Sequence, residues 1–116
     1  MKSKIKRLIW KIDFIKYKND AIEIFKEKIK VLLSIYKKEG KKQFLDYALE
    51  TTERVHELIN YQRNSYQLEG SKLFLSELAH EIYGLGIEAA FLKYKNTNDN
   101  KNIDLAFKYS ESNKAV

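Results

Sequence analysis

The chain has no cysteine and no proline, and glycine occurs only four times in its 116 residues. The absence of cysteine excludes disulfides, thiolate metal sites and a thiol nucleophile, so we expect a reducing, intracellular setting. The absence of proline leaves glycine as the only strong helix breaker, at Gly40, Gly70 and the Gly84/Gly86 pair. Few breakers predict few turns and long helices.

The chain also lacks any long apolar run. Charged residues interrupt the apolar positions between Ile5 and Ile15, which argues against a secretory signal sequence there. Elsewhere nothing approaches the roughly 20 consecutive apolar residues that a membrane-spanning helix needs. We therefore expect a soluble, cytoplasmic protein.

Positive charge is concentrated at one end of the chain. The net charge is +6, but residues 1–42 carry +9 and residues 43–116 carry −3. Such an asymmetry would suit an anionic partner such as RNA or a membrane surface. A lysine-rich face that serves solubility is the more frequent explanation, and we favour it, so neither a nucleic acid nor a membrane is the expected partner.

What the sequence does have is helical periodicity. Lys, Glu, Leu, Ile, Ala and Tyr dominate, a composition that favours amphipathic helix over strand. From Lys4 to Tyr17 the apolar residues recur at helical spacing, which predicts a basic amphipathic helix within residues 1–18. Its Trp10 and Phe14 could lie in a membrane interface, but a tryptophan in such a stripe more often packs in a core, here on the following hairpin.

Four further helices are predicted after a polar break at residues 18–20, which gives an all-α chain of about five helices. Asn19 or Asp20 is expected to cap the first of these four. Gly70 and Ser71 are expected to act as a stop and an N-cap between the middle two. The predicted ranges are about Asp20–Lys38, Lys42–Tyr66, Ser71–Lys95 and Lys101–Lys114.

The predicted helix at residues 71–95 carries apolar residues on two adjacent faces. One face includes Leu78 and Ile82, and the other includes Tyr83 and Phe91. A helix that is apolar on two sides is expected to lie between neighbouring helices.

The chain contains an internal repeat. A shift of 58 residues lays Ile29–Val55 over Ile87–Asn113 without a gap, and both copies put a polar turn at the same place. The identical pairs are Ile29/Ile87, Tyr36/Tyr94, Lys37/Lys95, Asp46/Asp104, Ala48/Ala106 and Glu53/Glu111. The repeat predicts two helical hairpins, at about residues 20–66 and 71–114.

Two architectures can be built from these hairpins. Stacked antiparallel hairpins, as in a fragment of an α-solenoid, bury a continuous core only through their neighbours. Their terminal units are then poorly covered, which predicts self-association through the exposed repeat ends. A four-helix bundle made of the same helices is the competing architecture.

The second half of the chain resembles a known family. The stretch SYQLEGSKLFLSELAHEIY at residues 65–83 is followed by GIEAAFLKY at 86–94 and AFKYSESNKA at 106–115. These segments are similar to the last tetratricopeptide-type repeats of bacterial CHAT-domain proteins, in which a similar pattern precedes a caspase-like peptidase domain. The similarity covers about residues 20–116. Residues 1–18 resemble nothing we can place, and the predicted helices are longer than a standard 34-residue repeat allows.

The resemblance implies an interaction module rather than an enzyme. In that family the peptidase activity resides in a His/Cys pair of the following domain, and this chain ends at Val116, where that domain would start. No catalytic residue, cofactor or metal ligand carries over. The TPR-like region, residues 19–116, is expected to bind a protein partner or an adjoining CHAT domain. Whether the chain is a fragment or a separate repeat protein stays open.

Two E-x-x-H sequences suggest a different function. Glu53/His56 and Glu77/His80 each place a carboxylate and an imidazole on one side of a helix, as di-iron carboxylate bundles do. In the di-iron pattern, however, such pairs alternate with helices that each give a lone glutamate, whereas here they lie on consecutive helices. We favour surface glutamates beside half-buried histidines. A small metal-binding bundle is the alternative function, as is a basic RNA- or membrane-surface adaptor.

The remaining motifs have structural explanations. Gly84-Leu-Gly86 lacks the strand-to-helix turn of a phosphate loop, and small residues there let a neighbouring helix come close. Aromatic residues interleaved with lysine could stack on bases, but the tyrosines fall at helical core spacings. These are Tyr36, Tyr47, Tyr83, Tyr94 and Tyr109.

Overall fold

The computed structural model describes the backbone of residues 18–65 and 69–114, and the side chains of residues 20–63 and 75–114. Within these ranges there are four α-helices and no strand. They are α1 (Lys18–Glu39), α2 (Gln43–Ser65), α3 (Glu69–Thr97) and α4 (Asn100–Lys114). The predicted all-α fold is confirmed. The helix predicted between Lys4 and Tyr17 lies outside the described residues.

The helix ends lie within one or two residues of the predicted positions, but two predicted start signals are wrong. Asn19 and Asp20 do not precede α1; they lie inside it, and Asp20 places its carboxylate in the first turn, near the positive end of the helix dipole. Gly70 and Ser71 likewise lie inside the first turn of α3. First-turn amides have no intrahelical acceptor, so glycine and serine cost little there.

The four helices form two antiparallel hairpins that stack side by side. We call α1 and α2 the first hairpin, and α3 and α4 the second hairpin. α3 packs against all three other helices, whereas within the described ranges no direct packing joins α1 to α4. α1 runs parallel to α3, since Lys26 contacts Glu81 and Lys37 contacts Glu88. In a closed four-helix bundle α4 would also pack on α1, so the arrangement is the predicted stack.

One apolar core extends through both hairpins. Most of the apolar residues predicted for α1 and α2 face it, and α3 contributes from two sides, as expected of a helix between neighbours. Thr51 and Thr52 also lie in the core, and each donates its hydroxyl to the carbonyl four residues earlier. The fully buried large side chains include Ile22, Ile29, Leu45, Val55, Ile59, Ile82, Tyr83 and Tyr109.

The two hairpins share the geometry of their turns. Gly40 follows α1 and Asn98 follows α3, 58 residues later, and both adopt left-handed backbone angles, with φ of 71° and 55°. The amide of Gly40 donates to the carbonyl of Tyr36 at 2.7 Å, and the amide of Asn98 donates to the carbonyl of Tyr94 at 2.7 Å. Both are αL caps, which close a helix by this bond. The sequence repeat is therefore also a repeat of backbone conformation.

Several apolar residues at predicted core spacings are exposed. Phe91 of α3 is 47% exposed, Tyr47 of α2 is 50% exposed, and Ile103 and Phe107 of α4 are 38% and 66% exposed. The placement of Phe91 and Tyr47 in the core was wrong, because no described helix covers the faces on which they lie. No helix in the described ranges is both long and apolar enough to cross a bilayer.

Candidate interaction site

The two hairpins approach closely where Gly86 of α3 crosses α2 and α4. A Cβ atom at Gly86 would lie 2.6 Å from Cγ2 of Thr52 and 3.0 Å from Cδ2 of Tyr109. At Gly84, a Cβ atom would meet none of the described residues within 4 Å. The helices were predicted to come close at both glycines. Among the described residues, a side chain would overlap its neighbours at Gly86 but not at Gly84.

We call the contact between the two hairpins the junction. Beside Gly86, a polar group centred on Glu53 joins α2 to α4. Lys108 Nζ donates to Glu53 Oε1 at 2.5 Å, and the hydroxyl of Tyr109 donates to Glu53 Oε2 at 2.6 Å. Burial alone would raise the pKa of Glu53, but these two hydrogen bonds outweigh it and hold the pKa below its ordinary value. Burial and the adjacent carboxylate raise the pKa of Tyr109. Glu53 is thus ionised and Tyr109 neutral at pH 7.

His56 packs beside this group as a neutral ring. Its Nδ1 atom lies 2.7 Å from the hydroxyl of Tyr83, and its ring meets Tyr83 and Tyr109 edge-on, at centroid distances of 5.5 and 6.0 Å. Burial, with Lys108 nearby, lowers the pKa of His56. Edge-to-face aromatic contacts add to the stability that burial provides. The imidazole therefore serves to hold the hairpins together.

The rim of the junction is polar. It includes three ion pairs and one hydrogen bond, namely Lys26–Glu81 (2.9 Å), Lys37–Glu88 (2.5 Å), Asp46–Lys93 (2.7 Å) and Asn96 Nδ2 to Tyr36 Oη (2.6 Å). Among the three pairs only Lys26 is buried, and its hydrogen bond with Glu81 raises the pKa of Lys26. Exposed ion pairs contribute about 0–1 kcal/mol each, so the rim aligns the hairpins more than it strengthens the stack.

The two E-x-x-H sequences are used for helix contacts. Glu53 and His56 belong to the junction just described. Glu77 is exposed, and Nδ1 of His80 makes a short contact with Oδ1 of Asn113 on α4. Within the described residues, no group of three or more His, Cys, Asp or Glu side chains could hold a metal ion. Both histidines therefore link their own helix to a neighbouring one.

An exposed apolar face lies on the second hairpin. It is formed by Phe91 of α3 with Ile103 and Phe107 of α4, and we call it the distal face. The three residues lie at a similar height, since α3 and α4 are antiparallel and Asn102 contacts Thr97 near the turn. Clustered large apolar side chains that face solvent are typical of an interaction surface.

The first hairpin has an open groove between α1 and α2, which we call the proximal groove. It is lined by apolar Phe25 and Leu32 and by charged Lys28, Glu50 and Arg54. Through the 58-residue repeat, Lys28 and Glu50 are the equivalents of Gly86 and Lys108, so the groove corresponds to the side of the second hairpin that contacts the first. Both ends of the stack thus offer surface that mixes apolar and polar groups.

Sequence reasoning missed the junction as a site. Its signal was present in the repeat, because Tyr36, Lys37, Asp46 and Glu53 belong to the six identical pairs and all contact the second hairpin. Identity at polar surface positions has no explanation in core packing. It therefore indicates a contact that the two hairpins have in common.

No protein-family model matches the chain, and comparisons with curated proteins and with solved structures return no match. The functional interpretation depends on the geometry described above.

Proposed function

We propose that this chain is a non-catalytic, cytoplasmic helical-repeat scaffold that binds a protein partner through the outward faces of its stacked hairpins. The mechanism is burial of apolar surface with polar alignment at the rim, as already seen between its own two hairpins. The partner that we favour is a CHAT-type, caspase-like peptidase domain, held by the TPR-like repeat region.

The observation that carries the proposal is the exposure of large apolar side chains at the two ends of the stack. The distal face has three of them, and α1 exposes Ile24 and Val31 to 67% and 55%. Burying a wholly exposed side chain of this kind is worth about 1.5–3 kcal/mol, and each of these would gain the share that is still exposed. Surface of this kind supports binding by packing rather than by chemistry.

Two features support the TPR-like assignment. First, the 58-residue repeat coincides with a repeat of helix–turn–helix geometry, including the left-handed residues Gly40 and Asn98. Second, α3 packs between α1, α2 and α4, which is how stacked hairpins of a solenoid share one core. A chain built this way offers binding surface at its ends.

The segments that carry the resemblance to CHAT-domain proteins support the proposal in a different way. In α3, Leu78, Ala79, Ile82 and Tyr83 are buried, so this part of the pattern has a structural role. In α4, the same pattern includes Phe107 and Glu111, which are exposed. A motif that combines core positions with exposed positions is typical of a repeat that packs inward and binds outward.

The proposal is tested first in the genome and then in solution. The reading frames next to the gene should encode a caspase-like domain with a His/Cys pair. That domain, made separately, should bind the chain in isothermal titration calorimetry. Phe107→Asp should weaken the affinity by at least about tenfold, because it puts a charge into the apolar contact.

A matched variant on the other end of the stack serves as the control. Ile24→Asp likewise places a charge at an exposed apolar side chain. It should change the affinity less than Phe107→Asp does. A neighbourhood without a caspase-like domain would contradict the CHAT assignment. Peptidase activity of the purified chain itself would overturn the scaffold function.

A further inference from the structure

The distal face corresponds, through the 58-residue repeat, to a face of the first hairpin that the structure buries. Phe91, Ile103 and Phe107 are the equivalents of Leu33, Leu45 and Leu49, whose exposed fractions are 3%, 1% and 7%. Those leucines belong to the core that the first hairpin shares with the second. The same molecule thus shows the kind of element that covers this face.

From this equivalence, and resting on the proposed scaffold function, we propose that the distal face docks a third helical hairpin whose docking side has the chemistry of the second hairpin. The element of the partner that docks is thereby specified as a helix pair, not as an extended peptide or a nucleic acid. Its contact helix carries a glycine or alanine at the point of closest approach, as Gly86 does.

The polar residues of the junction are repeated on the distal face. On the first hairpin, Lys37, Asp46 and Glu53 pair with the second hairpin. Their equivalents are Lys95, Asp104 and Glu111, which keep the same charges in the same register and are exposed. The set of charges that aligns one hairpin on another is therefore present a second time.

These charges define what the partner must offer. An acidic side chain is required opposite Lys95, and basic side chains are required opposite Asp104 and Glu111. In the existing junction the corresponding groups are Glu88, Lys93 and Lys108. A hairpin that copies the second hairpin would thus form three of the ion pairs again.

A second copy of this chain does not meet these requirements in the same register. The surface that it can offer is that of its first hairpin. There the equivalent of Glu88 is Lys30, and the equivalent of Lys108 is Glu50. Lysine would then face Lys95 and glutamate would face Glu111, and like charges across an interface are repulsive. Lys28 also replaces Gly86, so a long side chain would stand at the point of closest approach.

The test lengthens the chain by one hairpin and measures whether the distal face becomes covered. Residues 1–114 are followed directly by a second copy of Glu57–Val116, which continues the 58-residue period. Since the sequence has no cysteine, a single Ile103→Cys gives one thiol on the distal face. Its reaction rate with a thiol reagent should fall at least tenfold in the extended chain compared with the ordinary chain.

A thiol away from the distal face is the control. Val31→Cys places the thiol on α1, at a side chain that is 55% exposed, and its reaction rate should be the same in both chains. A second extended chain, in which residues 57–75 and then 18–65 are added, presents the surface of the first hairpin instead. It should protect the Ile103→Cys thiol less than the matched hairpin does.

Charge reversal identifies the register. In the extended chain, Asp104→Lys should raise the reaction rate of the Ile103→Cys thiol at least threefold, and Lys93→Asp in the added copy should restore the protection. An unchanged rate in the extended chain overturns the proposal, whether or not the chain binds a CHAT-type domain. Protection of both thiols in the ordinary chain, rising with concentration, would show that copies stack on one another and would overturn the partner assigned here.

Discussion

The two hairpins have the same helix order, the same turn geometry and related sequences, yet one is covered on a face that the other leaves open. Leu49 in the first hairpin is 7% exposed, and Phe107, its equivalent in the second, is 66% exposed. The difference does not come from the hairpins themselves. It comes from the neighbour that the first hairpin has and the second does not have among the described residues. Burial in a stack is thus a property of the next unit.

The largest expected effect separates these two equivalent positions. Leu49→Ala removes a buried side chain and should lower the free energy of unfolding by about 2–5 kcal/mol. Phe107→Ala should change it by less than about 0.5 kcal/mol, because the ring lies mostly in solvent. Urea unfolding followed by circular dichroism measures both. Equal losses would contradict the difference in burial between the two faces.

The second prediction compares the two glycines of α3. Gly86→Ala should destabilise the chain by about 1–3 kcal/mol, because the new methyl group would overlap Thr52 and the ring of Tyr109. Gly84→Ala should stabilise it by about 0.5–1 kcal/mol, because alanine is the better helix former and meets open space among the described residues. Thermal unfolding of the two variants should therefore shift in opposite directions.

The third prediction compares the two turns. Gly40→Ala places a side chain at a φ of 71° and should cost about 1–2 kcal/mol. Asn98→Gly relaxes the other left-handed position but makes the unfolded chain more flexible, so we expect a net change within about 0.5 kcal/mol. A large loss of unfolding free energy from Asn98→Gly would mean that the Asn98 side chain itself stabilises the turn.

The smallest effect concerns pH. The pKa of Glu53 and the pKa of His56 are both lower in the folded chain than their ordinary values. The unfolded chain then binds more protons, so stability is present above the unfolded pKa values and is lost as the pH falls, first below about 6.5 and then below about 4.3. We expect about 1 kcal/mol or less from His56.

A variant isolates the histidine in this prediction. His56→Gln should flatten the loss of unfolding free energy between pH 7 and pH 5.5, measured by urea unfolding, and should leave the loss below pH 5 in place. A steeper pH dependence in the variant would show that His56 is not kept neutral by its surroundings.

The helices could be predicted from the sequence because helical periodicity is a local signal. Ranges such as Lys42–Tyr66 differ from the structure by a residue at each end, since the apolar spacing continues to the turns. The predicted start signals at Asn19 and Gly70 were wrong because capping residues are also tolerated within the first turn of a helix. Such residues therefore mark a helix start only approximately. Which apolar residues are buried depends on neighbours, so Phe91 and Tyr47 were misplaced.

The junction could be predicted only in part. The repeat contained its charged residues, but spacing within one helix does not say which residue of another helix lies opposite. The pairing of Glu53 with Tyr109, across 56 positions, depends on where α4 lies on α3, and that in turn depends on Gly86. Long-range pairs of this kind become visible only once the helices are placed.

Among the described helices α4 packs against one, α3, and it is otherwise tied to the first hairpin by a few long side chains. It is therefore the element expected to open first in hydrogen exchange, with a free energy below that of global unfolding. Because Ile103 and Phe107 belong to α4, the distal face exists only in molecules where α4 is closed. Anything that docks there must slow amide exchange throughout α4, whereas stabilising α4 from elsewhere tightens docking only to the extent that α4 is open in the free chain.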